Sequence, residues 1–226
     1  MTGTLFIVAT PIGNLEDITL RAIRTLKEVD LIACEDTRHS QKLLNHYGIS
    51  KPLTSYFEHN KLVKGEMLIH QLLDGKNIAL ISDAGTPGIS DPGYNLVVAA
   101  IEKGISVVPI PGSSAVMTAL SVAGLPTDQF HFVGFLPQKE GKKKKLLESL
   151  REESATVVFY ESPFRITKTV RLLYQIFGDR FAVLVHELTK IHEKVFRGGL
   201  SSLEDQIKLI PAKGEWVVLL HGLSEE

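Results

Sequence analysis

The sequence predicts an α/β protein of two α/β domains, with a mainly parallel sheet in the first and a mixed sheet in the second. Three observations predict this. Through the first half, short apolar runs alternate with segments of helical period, the pattern of parallel strands joined by crossover helices. Around residues 124–129 the alternation resets at Leu125-Pro126-Thr127-Asp128, which reads as a linker. In the second half, two successive strand pairs have only a few residues between them, too few for a parallel crossover, so antiparallel pairing is expected there. The expected domains are residues 1–115 and 116–226.

Each element has its own signal. Residues 5–9 form a compact apolar run that breaks at Thr10-Pro11-Ile12-Gly13-Asn14, a buried strand leaving into a loop. Ile18, Ala22, Ile23, Leu26 and Val29 then recur at helical steps. Residues 31–34 are a second strand, and Asp36 or Thr37 can cap a helix that reaches Tyr47 before Gly48. A strand near 53–57, a helix over 60–73, a strand over 78–82, a turn-rich loop over 83–93, a helix to 103 and a strand over 105–110 follow. Pro111-Gly112-Ser113-Ser114 opens the next helix. In the second half, strands are expected near 130–134, 156–160, 181–186, 194–197 and 216–220. Helices are expected over 142–151, 163–177 and 202–210, the second capped by Ser162 ahead of Pro163 and the third by a Ser202/Asp205 capping box.

Composition narrows the classes. With 226 residues, 44% of them hydrophobic, the chain can bury a sizeable core. No apolar run approaches the roughly 20 residues of a membrane-spanning helix, and residues 5–9 do not read as a secretory leader. The single cysteine, Cys34, excludes an internal disulfide and a cysteine-based zinc cluster, and a reducing, cytoplasmic setting is expected. His186, His192 and His221 have no metal-ligand spacing, so no metal is expected. The formal net charge of −1 means that any nucleic-acid binding must rest on a local basic surface. The clearest is Lys142-Lys143-Lys144-Lys145, by default a solvated helix face and otherwise a phosphate contact.

Ligands of an open parallel sheet bind beyond the carboxyl ends of its strands. Four loops fall there, 9–14, 34–38, 82–93 and 111–114, all rich in Gly, Pro, Ser, Thr and Asp. None is a dinucleotide fingerprint or a P-loop. Glu35-Asp36-Thr37-Arg38 places two acids and an arginine directly after a strand, where a carboxylate can cap a helix or take a proton from a substrate hydroxyl. His59 in Phe57-Glu58-His59-Asn60 is a weaker signal of the same kind.

Ala9-Thr10-Pro11-Ile12-Gly13-Asn14-Leu15, Glu35-Asp36-Thr37-Arg38, Ser82-Asp83-Ala84-Gly85-Thr86-Pro87 and Pro111-Gly112-Ser113-Ser114-Ala115, read in order, resemble the signature stretches of small-subunit ribosomal RNA methylases. In the second half Phe159-Tyr160-Glu161-Ser162-Pro163, Glu187-Leu188-Thr189-Lys190 and Phe196-Arg197-Gly198-Gly199-Leu200 are similar to the same pattern. These enzymes are part of the tetrapyrrole methylase superfamily. The resemblance covers nearly the whole chain and implies S-adenosylmethionine as cofactor, held between two α/β domains of a homodimer, and the ribose 2′-hydroxyl of a 16S rRNA cytidine as acceptor, in free rRNA or in the assembled small subunit. It places Pro11, Asp83, Ala84, Gly85, Thr86, Ser113, Ser114, Tyr160, Leu188 and Gly214 on the cofactor. Glu35, Asp36 or Glu161 would orient or deprotonate the hydroxyl, and Asn14, Arg38, His59, Lys142, Lys143 and Lys190 would contact RNA. Phe164 stands where the family commonly has histidine. A tetrapyrrole-precursor methyltransferase and a catalytically silent RNA-binding module are the alternatives.

Overall fold

A computed structural model describes residues 1–223 and divides after Ser114 into two compact units. The first contains β1 (Thr4–Val8), α1 (Leu20–Glu28), β2 (Leu31–Cys34), α2 (Thr37–His46), β3 (Leu53–Ser55), α3 (Lys61–Leu73), β4 (Ile78–Ile81), α4 (Tyr94–Glu102) and β5 (Ser106–Ile110). Its five strands form one parallel sheet in the order β3-β2-β4-β1-β5. Alternate side chains feed two cores, as a sheet covered on both faces requires. Leu5, Ile78 and Leu80 pack with Leu68, Leu72 and Leu96 from α3 and α4. Val8, Ala79 and Ile81 pack with Ala22, Leu26 and Leu44 from α1 and α2.

The second unit contains α5 (Ala115–Ala123), β6 (Phe130–Phe135), α6 (Glu140–Ser149), β7 (Thr156–Glu161), α7 (Ile166–Phe177), β8 (Phe181–His186), β9 (Lys194–Gly199), α8 (Leu200–Ile207) and β10 (Trp216–Leu220). The sheet order is β6-β7-β10-β8-β9, with β6 and β7 parallel and the other pairs antiparallel. The expected mixture of directions is therefore present. All five residues of β10 are buried because the strand inserts between β7 and β8. Phe159, Val170, Leu173, Leu184, Leu203 and Val218 form the core beneath it.

Three helix starts differ from expectation, and at α8 the difference comes from a partner distant in sequence. α7 begins at Ile166 rather than Pro163, since residues 162–165 close a turn in which the Arg165 and Ile166 amides both donate to the Ser162 carbonyl at 3.0 Å. α8 begins at Leu200 without a Ser202/Asp205 box: Asp179 accepts from the Ser201 amide at 2.8 Å, and Ser202 donates instead to the Gly199 carbonyl at 2.9 Å. α6 begins two residues ahead of the expected Lys142, at Glu140. Among the described residues, no helix is long and apolar enough to cross a membrane.

Candidate functional site

The loops at the carboxyl ends of β1, β2, β4 and β5 are tied into one scaffold. Thr10 and Gly85 exchange two backbone hydrogen bonds, at 2.9 and 3.1 Å, joining the loop after β1 to that after β4. The Thr10 hydroxyl donates to the Ser82 carbonyl at 3.0 Å. Gly85 has φ +80°, a backbone region where a side chain is strained, which is why glycine stands at this joint. The Thr86 hydroxyl reaches the Ser113 carbonyl at 3.5 Å, and the Ser113 hydroxyl donates to the Asp17 carbonyl at 3.0 Å. An added Cβ at Gly112 would lie 3.0 Å from the Ala9 Cβ, so glycine lets the loop after β5 approach that after β1. The Asp83 carboxylate accepts the Asp36 amide at 3.2 Å, which brings in the loop after β2. Pro11, Asp83, Ala84, Gly85, Thr86, Ser113 and Ser114 thus all sit on loops at one sheet edge.

Carboxylates line the same edge. Asp36 caps α2, accepting from the Arg38 amide at 2.8 Å and the His39 amide at 3.4 Å. The Arg38 side chain, itself largely exposed, folds back onto Asp36 at 3.3 Å. These donors, with the Arg38 side chain foremost, hold the Asp36 carboxyl below its ordinary value. Glu35 is half-buried, and burial followed by the charges of Asp91, Asp83 and Asp36 pushes its carboxyl up. Asp91 is raised in the same way, burial outweighing a hydrogen bond from Ser82. Sequence reasoning overlooked Asp91, since only the fold of the loop over 82–93 returns it toward Glu35. Asn14 accepts the Glu16 amide at 3.1 Å at the start of a short 3-10 turn, and exposed His59 lies edge-on to Phe57 in the loop after β3. Asn14 is thus on the loop after β1, one of the four expected at this edge, while His59 is on the loop after β3, outside those four.

In the second unit Tyr160, next to last in β7, has its ring 5.1 Å from those of Phe132 and Phe135. Leu188 is buried in the loop after β8. That loop holds Glu187 at φ 54° and Thr189 at φ 64°, two non-glycine residues in the left-handed region, the kind of strain that functional loops carry. Gly214 faces it: an added Cβ there would lie 2.6 Å from His186 Nε2 and 2.7 Å from the Glu187 carboxyl. The buried hydroxyl of Thr189 and Nδ1 of His186 have no hydrogen-bond partner among the described residues, so the loop keeps polar capacity for a bound group. Thr189 stood inside the Glu187-Leu188-Thr189-Lys190 stretch and His186 was weighed only as a metal ligand, so neither was assigned to the site.

Two expectations are corrected here. Lys143 is no RNA contact: it is buried, with Nζ 2.8 Å from Glu161 and 2.9 Å from the Thr169 hydroxyl. Glu161 is no general base. It is 2% exposed and accepts from Lys143 (2.8 Å), Thr169 (2.6 Å), the Ser162 amide (2.7 Å) and Arg165 Nε (2.8 Å). Burial alone would raise its carboxyl, but these four donors more than offset that and hold it below the ordinary value. Lys190 is also engaged, 2.9 Å from both Glu187 and Glu215, so it orders the loop after β8 rather than standing free. Lys142 remains exposed. Among the described residues no cluster of side chains is suited to a metal ion.

Residues 4–204 match the family described as tetrapyrrole (corrin/porphyrin) methylases. A Halalkalibacterium halodurans protein named ribosomal RNA small subunit methyltransferase I is 51% identical over 224 residues, covering 99% of this chain and 78% of the relative. Proteins of the same name from Haemophilus influenzae and Thermotoga maritima are 49% and 47% identical, covering 98% and 97% of this chain and 80% and 99% of their own lengths. Among solved structures, a uroporphyrin-III-C-methyltransferase from Thermus thermophilus has a TM-score of 0.68 at 20% identity, covering 96% of this chain and 94% of that one. A diphthine synthase has a TM-score of 0.72 at 17% identity, covering 97% and 90%. At such identities these structures establish the fold alone.

Proposed function

Since this chain belongs to the tetrapyrrole (corrin/porphyrin) methylase family, we propose that it transfers a methyl group from S-adenosylmethionine to the ribose 2′-hydroxyl of a cytidine in 16S rRNA, acting as a homodimer. The observation that carries the reading is near-full-length identity of about half with proteins named for methylating small-subunit ribosomal RNA. A tetrapyrrole precursor as acceptor has only the fold in its favour.

The residues suit this cofactor. Asp83 and its neighbours present carboxylate, hydroxyl and open backbone at the edge of the first sheet, the groups that an amino-acid moiety and a ribose would need. In the second unit, taken by itself, the Thr189 hydroxyl and His186 Nδ1 are buried without partners near Leu188 and Gly214, polar capacity suited to a bound group. S-Adenosylmethionine, when bound, supplies a methyl group already activated on a sulfonium. The chain's own work is then to place the acceptor in line and to receive its proton. Glu35, half-buried with its carboxyl raised, is the residue we assign to the proton, because Asp36 is held as a helix cap and Glu161 is buried in an ion-pair network. Arg38 is exposed beside it and suits a phosphate.

The deciding experiment supplies labelled S-adenosylmethionine with purified small ribosomal subunits and, separately, free rRNA. Label confined to one alkali-resistant linkage is the expected result. Tight cofactor binding without rRNA labelling, together with label in a tetrapyrrole precursor, would replace the reading with the alternative.

The loop over 82–93 offers a second check. An added Cβ at Gly93 would lie 2.8 Å from the Gly88 amide nitrogen and 3.0 Å from its Cα, so backbone must move. Backbone strain of about 1–3 kcal/mol in this loop is expected to weaken S-adenosylmethionine binding to Gly93→Ala roughly tenfold, measured by calorimetry, while the chain still folds.

A further inference from the structure

We propose that Phe135 and Phe164, with the exposed lysines of α6, form a stacking platform for unpaired bases of an RNA strand; this rests on the RNA reading above. Phe135 ends β6 in register with Tyr160 of the parallel neighbour β7, and the residue is 60% exposed. Phe164 lies in the turn that follows β7 and is 78% exposed. Both aromatics therefore leave the same end of one parallel strand pair.

The buried Glu161 carboxylate fixes this end to α6. One oxygen takes Lys143 from α6, and the other takes the Ser162 amide and Arg165 from the turn that carries Phe164. Burying Lys143 in this way turns the rest of the lysine run outward. Lys139, at the cap of α6, and Lys142 and Lys145 follow one another at three-residue steps, all exposed and without an ion pair among the described residues.

Single exposed aromatics are ordinary on a protein surface. Two beside a row of unpaired lysines combine the two contacts that single-stranded nucleic acid uses, ring stacking on bases and cations on phosphates. The lysines disfavour an apolar protein partner, and a duplex would leave the rings without bases to stack on.

The test uses the whole chain and a fluorescein-labelled single-stranded oligoribonucleotide of about 12 nucleotides, with its duplex as control, followed by anisotropy at two salt concentrations. Wild type is expected to prefer the single strand. Phe164→Ala is expected to weaken that binding roughly tenfold or more with the salt slope unchanged, and Phe164→Tyr to restore it. Lys142→Gln should instead weaken binding and reduce the salt slope by about one. Phe164→Ala at wild-type affinity overturns the platform, as does equal wild-type affinity for single strand and duplex. A shift of Phe164→Ala from dimer to monomer in sedimentation, with RNA affinity retained, would assign the face to a second copy and overturn it too. Methyl transfer to rRNA, run in parallel, separates the two claims. A wild-type chain that methylates no rRNA removes the reading on which the platform rests. One that does, with Phe164→Ala equal to it in KM and in oligonucleotide affinity, overturns the platform alone.

Discussion

Replacing Glu35 by glutamine is expected to slow methyl transfer by about 10²-fold or more while leaving S-adenosylmethionine affinity near wild type. A ribose hydroxyl attacks poorly until its proton begins to leave, and a positioned carboxylate typically supplies that much. The two carboxylates that competed for the role are otherwise employed. Asp36 satisfies two amides at the start of α2 and pairs with Arg38, which makes it a weak base. Glu161 is enclosed by four donors. Glu35 is half-buried, and burial together with Asp91, Asp83 and Asp36 raises its carboxyl, which strengthens it as a proton acceptor. The sign of the pH dependence follows: the active, ionised form is lost as pH falls, and the acid limb of the rate profile lies above the ordinary glutamate range. Asp36→Asn is the control, since asparagine also caps helices; it should retain most of the activity. Wild-type rates in Glu35→Gln, or a collapse in Asp36→Asn with cofactor binding intact, would reverse the assignment.

Replacing Glu161 by alanine is expected to destabilise the chain by about 3–5 kcal/mol, read from urea unfolding. The substitution leaves Lys143 buried without its counter-charge and removes the acceptor shared by Thr169, Arg165 and the Ser162 amide. Removing both charges, as in Lys143→Met with Glu161→Leu, should recover much of the loss, because no uncompensated buried charge remains. Arg165, 28% exposed, can then turn to water. Because Glu161 is held below its ordinary value, the stability it contributes is fully present above the unfolded glutamate pKa of about 4.3 and is lost as pH falls through its folded value. A double variant no more stable than Glu161→Ala would show that the packing of these side chains, rather than their charge, carries the effect.

The division between what was legible and what was not follows the range of the interactions involved. Local pattern determined the α/β class, the parallel first sheet and the antiparallel pairing in the second, since strand and helix periods and connection lengths are properties of neighbouring residues. It also picked out the loops after β1, β2, β4 and β5, because turn chemistry is written in Gly, Pro and Asp themselves. Tertiary structure decided which charged residues are free. Lys142 and Lys143 are adjacent and alike in sequence, yet one is exposed and the other meets Glu161 and Thr169, 18 and 26 positions away. It moved the start of α8 as well, through Asp179, 22 residues from the amide it caps. It also brought Asp91 toward Glu35 and left His186 Nδ1 and the Thr189 hydroxyl buried without partners. A sequence shows which groups a chain carries; their protonation, burial and pairing depend on neighbours supplied by distant segments, and those exist only once the chain has folded.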